Sequence, residues 1–223
     1  MEQVIEEASI NQEDSEKEIK RFRTSFLLFL IGQIFWTISA FSFGATFKFL
    51  PHWLSIFNAF TLIGHPIVVI ALIRLRKINK DFILALITMG LYLVTAFIFS
   101  VCETSNDPLY LAIGKGMDWS KRILMCLMYI YTFIGCYHFF TKHNLETGAK
   151  KAKRAYIAFF IIYAFYFFFE IFSRFKFIMY NTVANRIFTY SSWFMELSVY
   201  VYAVLIMFVL VIYFFRMTRK EKK

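Results

Sequence analysis

Cysteine, proline and glycine are scarce in this chain, at 3, 3 and 8 of its 223 residues. The three thiols, Cys102, Cys126 and Cys136, stand apart, with no C-x-x-C and no His at metal spacing. That leaves no pattern for a zinc site, and the three are expected to be free, small core residues. Depth places Cys102 and Cys126 towards one membrane face, where a bond between them is the alternative. No catalytic motif is present either. His138 and His143 have no H-E-x-x-H and no acid at motif spacing, and no Ser–His or Asp–Asp arrangement lies at one depth. No nucleotide-binding or other energising motif occurs, no metal ligand set stands out, and nothing in the pattern asks for a cofactor. An enzyme is therefore not the expected reading; a lipid transferase built on Asp118, Lys121 and Arg122 is the one version kept. Aligning 25–101 with 122–215 brings no Gly, Pro or charge into register, so an inverted repeat is not supported by the residues.

What is abundant is apolar. Hydrophobic residues make up 59% of the chain and aromatics 21%, with 30 Phe; soluble domains average nearer ~45–50% apolar. The apolar residues fall into six runs, 25–44, 53–73, 82–101, 122–140, 155–172 and 193–215. Each approaches the ~20 residues a helix needs to cross ~30 Å of hydrocarbon. The expected fold is all-α, a polytopic membrane helix bundle of six transmembrane helices. Residues 1–23 form an acidic-then-basic cytoplasmic tail, 24–215 the six-span membrane domain and 216–223 a basic cytoplasmic tail.

Charge sets the orientation. Of the 25 Lys and Arg, 18 fall on one side of the six-span layout, in 17–23, 74–80, 142–154 and 216–223. The positive-inside rule then puts both termini in the cytoplasm, as a multi-pass protein of the cell membrane. Trp53, Trp119 and Trp193 fall at outer helix ends, where such rings favour the headgroup layer; Trp36, deep in the first run, is the exception. The net charge of +10 is accounted for by this topogenic charge and implies no nucleic acid. The expected partners are the bilayer, including anionic lipids, and a possible second subunit. The densest cluster, Lys150, Lys151, Lys153 and Arg154, is the candidate contact for lipid headgroups. Residues 1–18 carry seven acids against Lys17 alone, the opposite of a basic leader, so the first run is expected to stay as an anchor. The acidic stretch is expected to be a solvated tail, disordered or loosely helical, or else a latch against the basic 74–80 or 142–154 connections. The outer connections 102–121 and 173–192 are expected to offer about forty residues of loop, the second including an interfacial helix.

Polar groups inside the runs are few. Glu170 and Glu196 lie within about 4–8 Å of the outer boundary by the ~1.5 Å helical rise. As a pair they would bind a cation or proton; otherwise Glu170 meets Arg174 one turn away and Glu196 meets Arg186, Lys121 or Arg122. Gln33 and His65 lie ~12–14 Å above the inner side on the same count, with Gly64 and Pro66 flanking the imidazole. They form either a mid-membrane polar site or a pair that holds two helices together. Two functions follow. The first is a protein of transporter or permease-subunit type, with a polar path from Glu170 and Glu196 to His65 and Gln33. The second is a non-transporting module (a sensor, immunity or assembly factor) whose intramembrane polar residues only pack helices.

Overall fold

The structure is a computed structural model describing residues 2–46, 59–105, 107–173 and 182–220, with the side chains of 1–14, 40–46, 169–170 and several of 172–193 and 216–220 outside the description. Among the described residues it is all-helical, with no strand. The helices are α1 (Glu2–Thr46), α2 (Ala59–Leu75), α3 (Lys80–Glu103), α4 (Pro108–Lys142), α5 (Glu146–Ser173) and α6 (Thr182–Lys220).

Local chemistry fixes the helix ends. Asn79 caps α3 by accepting the Asp81 N–H at 3.3 Å. Asp107 caps α4 by accepting the Leu109 N–H at 2.8 Å, with Pro108 at the first helical position, where its missing N–H costs nothing. Asn144 closes α4 in the left-handed conformation, φ 56°, and the next N–H, of Leu145, donates back to the Phe140 carbonyl at 2.8 Å.

Among the described residues, four helices are long and apolar enough to cross a bilayer: α1 through Ser15–Ser39, α3, α4, and α6 through Phe194–Phe215. Helix α2 is apolar but shorter, 17 residues, and runs uninterrupted through Gly64-His65-Pro66. Two connections differ from expectation. Residues 108–121 are helix, so the link expected over 102–121 shrinks to Thr104–Asp107; the capping pair Asp107-Pro108 starts α4 at once, and Gly114 and Gly116 do not interrupt it. Residues 182–192, expected to hold a separate interfacial helix, are helical but continuous with α6. The acidic stretch expected to be a loose tail is helical from Glu2, continuous with the first apolar run.

Each helix packs on its sequence neighbour, and α6 returns to α1, so the six form a closed ring. Aromatic rings fill its interior. Phe22 of α1 stacks on Phe139 of α4 at 3.9 Å and meets Phe82 of α3 and Phe214 of α6. Further along, Phe159 of α5 lies 5.0 Å from Tyr129 and 5.3 Å from Phe133 of α4. Helices α1 and α2 approach at glycines: a Cβ on Gly64 would stand 2.9 Å from the Gly32 carbonyl oxygen and 3.0 Å from the Trp36 nitrogen. Close backbone approach through small residues is how helices associate where apolar burial gives no drive.

Candidate functional site

Helix α4 is the hub of the polar contacts. Along its length it bonds to three other helices, and the pairs lie at three levels.

At one end, which we call outer after the sequence orientation, Asp118 holds Lys121 and Arg122 of its own helix, each at 2.9 Å. Spacings of three and four residues place all three on one face. Arg122 then reaches α6, with Nη1 3.5 Å from Glu196 Oε2, both side chains mostly buried. Glu196 lies one turn above Val199 and Tyr200 on the stripe of α6 that continues through Ala203, Met207 and Leu210, all buried. It therefore points into the bundle. Beneath the pair lies a pocket between α4, α5 and α6, about 190 Å³ including its mouth and lined by Arg122, Met125, Tyr163, Tyr166, Glu196 and Val199. Tyr163 and Tyr166 are each 2% exposed. Among the described residues their hydroxyls have no hydrogen-bond partner. The Arg122 guanidinium also stands 5.4 Å over the Tyr166 ring, and Lys121 4.3 Å over that of Phe99.

At mid-depth the Tyr129 hydroxyl of α4 donates to Gln33 Oε1 of α1 at 2.6 Å, and the Tyr200 hydroxyl donates to the Met125 sulfur at 3.2 Å. Gln33 is fully buried, and its Nε2 has no described partner. His65 takes a different neighbour: its ring meets Trp36 edge-on at 4.5 Å and Tyr92 at 5.5 Å, with Nε2 buried and without a partner among the described residues. Gln33 and His65 thus lie on adjacent helices, but Trp36, three residues beyond Gln33, covers the imidazole, and no hydrogen bond joins the two among the described contacts. The displaced Trp36 of the sequence pattern finds its reason here, wedged among His65, Tyr92 and Tyr200.

At the inner end, His138 Nδ1 of α4 lies 2.6 Å from Asp81 Oδ2 of α3. The acid missing beside this histidine in sequence comes from 57 residues away. Lys142 binds Glu18 of α1 at 2.6 Å, His143 stands 3.8 Å from the same carboxylate, and Ser15 meets His143 at 3.3 Å. Of the acids considered for a latch, Glu18 is described in an ion pair, with Lys142 on the 142–154 side.

The Glu170 side chain lies outside the described residues, so the carboxylate pair is described for Glu196 alone. Lys150, Lys151, Lys153 and Arg154 are exposed on the first turns of α5, with Lys150 at 3.6 Å from Glu146. Cys102, Cys126 and Cys136 are free and buried. No group of three metal-ligating side chains occurs among the described residues. Tyr166, the Asp81–His138 pair and the Tyr129–Gln33 bond were not foreseen as site elements. For the Tyr129–Gln33 bond the signal was depth: both lie well inside their runs, alongside Thr37 and Thr132.

No protein-family model, curated protein or solved structure matches the chain.

Proposed function

We propose that the chain is a six-span membrane protein with both termini in the cytoplasm, working as a sensor-type module rather than as a solute permease. The observation that carries this is the single helix α4, which bears Arg122 on Glu196 at one end and Lys142 on Glu18 at the other. The part of α4 from Arg122 to Lys142 extends about 30 Å at 1.5 Å per residue. A rigid element tied to a partly buried ion pair outside and to an acidic helix inside carries a displacement from one face to the other. Packed aromatic rings between the two ends favour such a lever over a route for solutes, because close-packed interiors transmit strain. The exposed Lys150, Lys151, Lys153 and Arg154 would sit against anionic headgroups and fix the inner level of the bundle.

The test is a distance. Spin labels at Glu16→Cys and Thr141→Cys, in a background with the three native thiols replaced by Ala, report the α1–α4 separation at the inner end. Arg122→Gln is expected to shift or broaden that distribution in lipid nanodiscs. An unchanged distribution in a folded variant removes the lever.

One observation favours transport as the second reading. Glu196 stands one turn from Tyr200, whose ring is 5.9 Å from Trp36, which in turn lies 4.5 Å from His65. This contact chain joins the outer carboxylate to the mid-depth groups expected to form a path with Gln33 and Glu170. Flux through proteoliposomes that disappears in Glu196→Gln would decide for it.

A further inference from the structure

We infer that the seam between α1 and α6 holds an anionic phospholipid of the inner leaflet, its phosphate on Arg23 and one acyl chain along the furrow where the two helices meet. The inference goes beyond the sensor reading: it rests on the membrane placement proposed there and is independent of the lever.

The seam is where the ring of helices closes. At its inner end Phe22, Arg23 and Phe26 of α1 face Val211 and Phe214 of α6 around a groove of about 170 Å³ including its mouth. Aromatic rings make its floor, with Phe22 5.4 Å from Phe26 and 5.6 Å from Phe214. Arg23 is the charged member, partly buried, and its guanidinium stands 5.2 Å over the ring of Phe215. Above that contact each helix keeps an exposed apolar row beside the seam, Leu27 and Ile34 on α1 and Phe208 and Val201 on α6. Helical spacing puts Leu27 and Ile34 on the side of α1 that bears Arg23, and the seven-residue interval aligns Val201 and Phe208 with Phe215 on α6. Leu27 stands about 6 Å and Ile34 about 16 Å above Arg23 along the axis. That length suits a chain running from the headgroup boundary to the middle of ~30 Å of hydrocarbon.

Charge selects the head. Among the described residues no carboxylate pairs with Arg23: Glu18 is taken by Lys142, and Glu16 lies about 10 Å further along the helix. A partly buried guanidinium at the edge of hydrocarbon needs acceptors for its donors, and a phosphate matches its planar fork with two bonds at once. The surroundings carry the same sign. Lys20 lies a turn away on α1. Arg74 of α2 donates to Thr24 at 3.4 Å, and Lys151 of α5 stands 5.5 Å over Tyr213 on the other flank of α6. Basic pockets between transmembrane helices on the cytoplasmic side take anionic headgroups. A zwitterionic lipid brings a cation into this field, and an acidic protein segment leaves the apolar furrow unfilled.

Photolabelling in lipid nanodiscs tests this, with a phosphatidylglycerol carrying a diazirine near the glycerol end of one chain, followed by peptide mapping. In the wild-type protein the label is expected to concentrate on 22–34 and 201–215. Excess unlabelled phosphatidylglycerol should remove it, whereas the same excess of phosphatidylcholine, or of inorganic phosphate, should not. Arg23→Gln is expected to lower that label about fivefold, the factor for one cation near the surface, while Lys115→Gln at the other end leaves it unchanged. The wild-type competition needs no variant, so it decides the matter even where Arg23→Gln fails to insert. Label spread evenly over the lipid-facing helices, displaced equally by phosphatidylcholine, or unmoved in an inserted Arg23→Gln protein overturns the site and leaves the membrane placement standing. Displacement by inorganic phosphate also overturns it, since a bare anion would then suffice. Wild-type protein that does not enter nanodiscs removes the placement and the site together.

Discussion

The polar side chains of this bundle work in pairs that join helices far apart in sequence. Tyr129–Gln33 is the most buried, spanning 96 residues at 2.6 Å. In lipid the alternative to such a bond is also within the protein, so its net value is modest, about 0.6 kcal/mol on average and about 1.7 at most. Tyr129→Phe is therefore expected to lower unfolding free energy by roughly that range, measured in mild detergent. Tyr129→Phe combined with Gln33→Leu should cost less than the sum of the two single changes. Gln33→Leu also removes the Nε2 group that has no described partner, and a buried group without a partner is a cost in the wild-type fold. A double-mutant cycle that gave no coupling between the two would show that the bond contributes nothing. His65 is held instead by rings, edge-on to Trp36. That residue-scale choice was not readable beforehand, because depth arithmetic assigns height but not azimuth: Gln33 turns to Tyr129, while His65 meets Trp36 and Tyr92.

At the scale of elements, close approach is set by glycines that do not share one role. Gly64 faces backbone, since its Cβ would come within 2.9 Å of the Gly32 carbonyl and 3.0 Å of the Trp36 nitrogen. Neither atom can rotate away, so Gly64→Ala must part α1 from α2, with an overpacking cost of about 1–3 kcal/mol. Gly90, inside α3, meets nothing within 4 Å. Gly90→Ala is expected to be neutral or to stabilise by up to about 1 kcal/mol, the helix-propensity difference. Thermal unfolding of the two variants side by side checks the assignment, and a Gly64→Ala protein as stable as wild type would contradict the close crossing. The elements themselves were largely foreseeable from apolar runs, with all six runs overlapping a helix. Their ends were less so. The Asn106-Asp107-Pro108 turn was recognised, but Gly114 and Gly116 were read as loop when they lie within α4; Gly114 packs against Cys102 of α3, where a Cβ would stand 3.2 Å from the Cys102 Cβ. Tertiary contact there outweighs the weak local preference of glycine for a turn.

At the scale of the whole molecule, ring closure and charge distribution make a joint demand. Each helix packs on the next and α6 on α1, while the basic clusters 17–23, 74–80, 142–154 and 216–223 must share one side for the positive-inside rule to hold. Those conditions are met together only if α2, short as it is, counts as a crossing. Were α2 to lie in the interface instead, α3 and α4 would run in the opposite sense, Lys142 would emerge on the face opposite Glu18, and the pair they make at 2.6 Å could not form. Impermeant maleimide labelling of single cysteines at the exposed positions Glu16, Lys115 and Lys150, in the thiol-free background and in sealed cells, reads this out. Lys115→Cys is expected to react from outside, while Glu16→Cys and Lys150→Cys react only after permeabilisation. Labelling of Glu16→Cys together with Lys115→Cys from outside would mean that α1 and α2 do not both cross, and the lever joining Glu196 to Glu18 would then begin and end on the same face.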